Sequence, residues 1–311
     1  MICGIMGANT GKPQCDIPIG AIKYTMPTRG AEFTKDQLVD SNAVKAALLA
    51  KMLLAKSNTS KVFTIPYANE AANNTGEAPT ASLSDGFEKV LTDPLPKYNL
   101  THAELGRAQN QAICQFNGWN DKLYFVDRNN RLAYIIKPDG GGKGFSVGNL
   151  YYPPPIPGSS NALNTTVGKL TFANPDEFKL SPIGLIQLDF NVADLVNIED
   201  VTVVQKAAPA TNVFTVGLIG RFTGIDAHPA YASALANMAR WVVKRLDTGA
   251  SMTLTSAASD SGNLGWDITV DSTEFTNLPS GTKLSINIAD PTTLALASVY
   301  GIEGTEIIYT K

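Results

Sequence analysis

The run Leu123-Tyr-Phe-Val-Asp-Arg-Asn-Asn-Arg-Leu-Ala-Tyr-Ile-Ile-Lys137 sets two short apolar segments around a polar tetrad. Aromatic and β-branched residues favour the pleated, half-buried surface of a strand, and Asp and Asn tolerate the backbone angles of a tight turn. The pattern predicts a β-hairpin, with strands over 123–126 and 132–137 around Asp127-Arg-Asn-Asn130. Working outward, Lys61-Val-Phe-Thr-Ile65 reads as a strand stopped by Pro66, and further strands are expected over 86–91, 167–173, 183–189 and 200–205. Two helices interrupt them. One runs from a cap at Asp40 or Ser41 to about Lys56, rich in Ala, Leu, Lys and Met, with an apolar face broad enough to be buried on more than one side. The other covers 105–117, where Leu105, Ala108, Ala112, Ile113 and Phe116 recur at helical spacing before Asn117-Gly118. Its start is ambiguous: Thr101-His-Ala-Glu104 matches a capping box, whereas Tyr98 and Leu100 alternate with polar residues as in a strand.

The flanks of this region differ in character. Residues 1–40 are rich in Gly, Pro and Thr and read as an extended arm, with short strands near Ile19–Thr25, that orders against a neighbour. Residues 67–85 form a long polar loop, the kind that serves function or assembly. Asp139 to Gly144 is a glycine turn, and Tyr151-Tyr-Pro-Pro-Pro-Ile-Pro157 a stiff extended segment. Ala207-Ala-Pro-Ala-Thr211 reads as a linker. Beyond it, strands are expected over 213–219, 239–246, 250–257, 264–270, 283–289 and 304–309, with a short Ala-rich helix opening at His228-Pro229 and ending near Asn237. Short strands at this interval suggest an immunoglobulin-like sandwich, with Trp241 or Trp266 as its core anchor and no disulfide. The fold class is thus mainly β (α+β): an arm over 1–40, a β-rich assembly domain over 41–206 with helices near 42–56 and 105–117, and a β-sandwich over 211–311.

Composition narrows the function classes. The 311 residues carry 17% charged residues, against about 25% in ordinary soluble domains. Charge depletion suits surfaces that neighbours cover. A net charge of −3 and no long basic cluster beyond Lys244-Arg245 argue against specific nucleic-acid binding. The N-terminus lacks the charged and apolar regions of a secretory signal, and the longest apolar run, Val44 to Ala55, carries Lys51 and is too short to span a bilayer. Three cysteines, Cys3, Cys15 and Cys114, match no zinc or redox spacing.

Each candidate for chemistry has a simpler structural reading. Leu246-Asp-Thr-Gly-Ala-Ser251 resembles the active-site loop of aspartic proteases, where two carboxylates share a proton. Charged Lys244 and Arg245 precede Asp247, however, where that site packs apolar side chains, so a hairpin turn is expected. Gly140-Gly-Gly-Lys-Gly144 lacks the spacing of a phosphate loop. His102 and His228 have no partner at metal-ligand spacing, and Cys114 falls on the apolar side of a helix. Asp139, Asp189, Asp194 and Asp200 make no calcium loop. No catalytic residue, cofactor site or metal site is expected.

Several stretches resemble structural proteins of tailed bacteriophages, especially those infecting Bacteroides-like hosts. They are Gly7-Ala-Asn-Thr-Gly-Lys-Pro-Gln-Cys-Asp16, Val62-Phe-Thr-Ile-Pro66, Phe116-Asn-Gly-Trp119, Leu123-Tyr-Phe-Val-Asp127, Lys143-Gly-Phe-Ser-Val-Gly148 and the 241–311 module. The resemblance implies a repeated virion subunit of the tail tube or neck, made in the host cytoplasm, and carries over no catalytic residues. Its expected partners are copies of itself and other virion proteins, with passive contact with DNA and none with membranes. The alternatives are a capsid or head-decoration protein, a glycan-binding module using Tyr151, Tyr152 and Trp119, and, most remotely, the aspartic protease at Asp247. A capsid shell would call for a longer spine helix than this sequence offers.

Overall fold

The computed structural model describes residues 18–82, 88–156, 164–195, 199–296 and 298–311. The chain divides into two compact units, residues 1–52 with 56–195 and residues 53–55 with 196–311. Both are dominated by strands, as expected of a mainly β, α+β chain.

Unit 1 contains, in order, β1 (Ile22–Thr28), β2 (Glu32–Phe33), α1 (Ser41–Met52), β3 (Glu70–Asn73), β4 (Thr80–Ser82), β5 (Glu88–Val90), β6 (Lys97–Ala103), α2 (Arg107–Ile113), β7 (Lys122–Asp127), β8 (Arg131–Ile136), β9 (Gly142–Lys143), β10 (Phe145–Tyr151), β11 (Thr165–Phe172), α3 (Asp176–Lys179) and β12 (Ile183–Gln187). The expected β7–β8 hairpin lies at its centre. β7 pairs antiparallel with β1 from Ile22↔Asp127 to Thr28↔Lys122, with β8 through Phe125↔Ala133, and with β10 through Phe145↔Leu123. Side chains alternate across a strand, so the hairpin has two faces. Tyr124, Val126, Leu132 and Tyr134 join Phe33, Met26 and the α1 residues Val44, Leu48 and Met52 in one core. Leu123, Phe125, Ala133 and Ile135 join Phe145, Leu150 and Phe172 in another. Burial on both faces explains the nearly continuous apolar run; each fully buried large side chain contributes roughly 1.5–3 kcal/mol.

The turn is held by a buried charge. The Asp127 carboxylate, fully buried, accepts the backbone N–H groups of Asn129 (2.9 Å), Arg131 (3.0 Å) and Gly20 (3.1 Å), and binds the Arg131 guanidinium at 2.5 and 2.9 Å. Arg131 also donates to the Pro18 carbonyl at 2.8 Å. Asn130 sits at φ 60°, the left-handed conformation Asn accepts, and its amide reaches the carbonyls of Leu188 and Phe190, both at 2.9 Å. The same turn therefore fastens residues 18–20 and 188–190.

Several expectations are corrected. Residues 18–40 are no free arm: β1 is an inner strand, and only 1–17 lie outside the described residues. α1, capped by Asp40 (2.8 Å to the Ala43 N–H), ends at Met52 and buries one stripe, Val44, Ala47, Leu48 and Met52, rather than several faces. Residues 61–65 contact β1 only through isolated bridges at Val62 and Ile65. The 67–85 loop contains β3 and β4, with 83–85 outside the described residues. Thr101–Ala103 belong to β6 because a seven-residue ladder to β11 outweighs a local capping box; α2 starts only at Arg107. Gly142 and Gly184, on the two strands flanking β8, lie against the Tyr134 ring: a Cβ at either would come within 2.6 or 2.3 Å of it.

Unit 2 contains β13 (Glu199–Gln205), β14 (Val213–Gly220), α4 (His228–Tyr231), β15 (Trp241–Arg245), β16 (Leu254–Asp260), β17 (Gly265–Val270), α5 (Ser272–Asn277), β18 (Lys283–Ile288), α6 (Pro291–Ala295), β19 (Ile302–Thr305) and β20 (Ile307–Thr310). One sheet has the order β16-β17-β14-β13-β19 and the other β15-β18-β20. With β13–β18 as strands A–F and β20 as G, this is the D-E-B-A and C-F-G arrangement of a constant-type immunoglobulin sandwich. β19 is an addition, running parallel to β13 before the chain crosses to the other sheet at Glu306. Both sheets bury their inner faces in one core. Trp241 on strand C packs 5.7 Å from Trp266 on strand E, and Phe214 packs 4.9 Å from Tyr309.

The unit boundary lies at 195/196 rather than at 207–211, because the 199–205 strand is strand A of the sandwich; 207–211 is only its turn into strand B. The helix expected to reach Asn237 stops at Tyr231. The carbonyls of Ala232 and Leu235, which a longer helix would offer to its own N–H groups, accept the indoles of Trp266 (3.0 Å) and Trp241 (2.8 Å).

Removing the Asp127 carboxylate leaves Arg131 buried without its partner and frees residues 18–20. Asp127→Ala is therefore expected to cost about 3–5 kcal/mol in denaturant unfolding, whereas Asp139→Ala, whose carboxylate is exposed and paired only at the surface, should cost far less. Equal effects of the two would refute the clamp.

Candidate functional site

The chemistry-bearing residues are dispersed, and their local geometry explains each. Asp247 sits in the turn after β15, exposed, with Arg245 donating to it at 2.6 and 3.1 Å. The Arg245 guanidinium holds its carboxyl below the usual range. A carboxylate stabilised as an anion is the reverse of one sharing a proton. Asp-Thr-Gly here turns the chain, with Gly249 at φ 71°. In the 140–144 segment, Gly142 packs under Tyr134 and Gly141 donates to Asp139 at 2.9 Å; this glycine run fits strands together and opens no helix.

His102, on β6, is 1% exposed. Its Nδ1 lies 2.9 Å from the Tyr67 carbonyl and so carries the proton, and its ring packs 5.5 Å from that of Tyr152. Burial pushes its pKa down, against a smaller upward effect of the carbonyl. Cys114 follows α2, its sulfur 3.4 Å from the Pro153 carbonyl, and burial raises its thiol pKa, opposite to what a nucleophile requires.

His228 reveals a pairing the sequence conceals. Its Nε2 is 2.9 Å from the Ser259 hydroxyl, 31 residues away. The nearby Asp226 carboxylate, though, accepts the His228 backbone N–H (2.8 Å) and Lys206 (2.6 Å), not the imidazole. The Ser–His contact therefore lacks the carboxylate that orients a catalytic histidine; it joins the strand B–C connection to the end of β16. Asp189 is bonded to Ser41, and Asp200 lies buried in β13. Among the described residues no three His, Cys, Asp or Glu side chains are placed to hold a metal ion. The expected glycan platform is not assembled. Tyr152 is fully buried, its neighbour Tyr151 points the other way, and Trp119 is packed edge-on against Phe63 and Phe116.

A different kind of site stands out on unit 1. β4 and β5 form a two-stranded sheet that shares no ladder with any other strand among the described residues. Beside it Val90, Leu91 and Leu95 are 54%, 62% and 41% exposed. An isolated two-stranded hairpin is at best marginally stable in water, and clustered exposed apolar side chains mark contact surfaces. Polar Thr80 and Ser82 and charged Lys89 complete its described surface. The sequence offered a long polar segment over 67–85 and a strand over 86–91; the structure adds the pairing Thr80↔Val90 and the hydrogen bond of Leu91 N–H to the Pro79 carbonyl.

These features describe a β-rich chain of two units whose candidate residues for chemistry lie apart from one another among the described residues. No protein-family model matches this chain, and no curated protein is similar to it. Among the described residues no helix is long and apolar enough to cross a membrane.

Because the unfolded chain takes up a proton more readily than buried His102, the stability that His102 supplies should be intact above about pH 6.5 and decline below it. The gap between the melting temperatures of the wild type and His102→Gln is expected to narrow as pH is lowered from about 7.5 to about 5. A gap independent of pH would exclude this titration.

Proposed function

We propose that this chain is a structural subunit of a bacteriophage virion, of the tail tube or neck, that works by assembling with copies of itself. The observation that carries the proposal is the β4–β5 pair, which joins no other sheet among the described residues and has Val90, Leu91 and Leu95 exposed on or just after it. A neighbouring subunit supplies the partner that the pair lacks among the described residues. The low charge, 17%, agrees with a surface largely covered by neighbours, and a net charge of −3 lets DNA pass without adhering. The resemblance to tailed-phage structural proteins points to the same role.

Purified protein is expected to form rings, tubes or larger oligomers visible by electron microscopy and in sedimentation velocity. Val90→Asp/Leu91→Asp, on an exposed hairpin, should abolish them with little change in melting temperature. A wild type that stays monomeric at high concentration would defeat the proposal.

A further inference from the structure

We draw no further inference here: the strongest candidate, the side-chain cluster of Ser146, Lys122 and Glu177 where β7, β10 and α3 meet, carries nothing, because the Glu177 carboxylate accepts both the hydroxyl and the backbone N–H of Ser146 (2.6 Å each) and Lys122 donates to the same hydroxyl (2.7 Å), so the serine is engaged on every side and the cluster fastens α3 to the sheet.

Discussion

Unit 1 depends on one buried carboxylate. Asp127 is fully buried, so its charge must be met by buried partners. Three backbone N–H groups and the Arg131 guanidinium meet it, and these donors come from the turn and from the entering chain at Gly20. Satisfying the charge therefore fixes the hairpin and the register of β1 together. A hydrophobic pair in its place would pack as well but would specify neither. From that point the remaining elements are arranged by burial: α1 covers one face of β7 and β8, and β10 and β11 cover the other.

Unit 2 is organised around aromatic packing instead. Trp241 and Trp266 fill the space between the sheets, and each indole N–H ends on a carbonyl of the strand B–C connection. The core and that loop are thus shaped together, which fixes how the loop end is presented. The two units break the usual rules of local consistency in different places. Unit 1 does so in a two-stranded pair that joins no other sheet among the described residues, unit 2 in exposed apolar side chains and a left-handed leucine on its connections. Departures of this kind gather at functional surfaces, where another molecule restores the balance.

The absence of an assembled catalytic constellation among the candidate residues has a local cause in each case. Arg245 claims Asp247, Lys206 and a backbone N–H claim Asp226, and the Tyr67 carbonyl orients His102 toward the core. Polar groups here are engaged in closing turns and joining strands.

The sequence by itself determined the β-rich class, the β7–β8 hairpin, α1 and its cap, and the rhythm of strands in the sandwich, because each follows from local pattern and turn chemistry. It misplaced what depends on distant partners. Residues 22–28 read as a short strand within an arm and become part of the unit's sheet by pairing with β7; 97–103 looks half helical until β11 completes its ladder; 199–205 joins the second unit only through β14 and β19. The exposed apolar positions were hidden for the same reason. Val90, Leu91, Leu264 and Leu296 are ordinary apolar residues in sequence, and only tertiary structure, by burying the other members of their kind, decided that these would face outward.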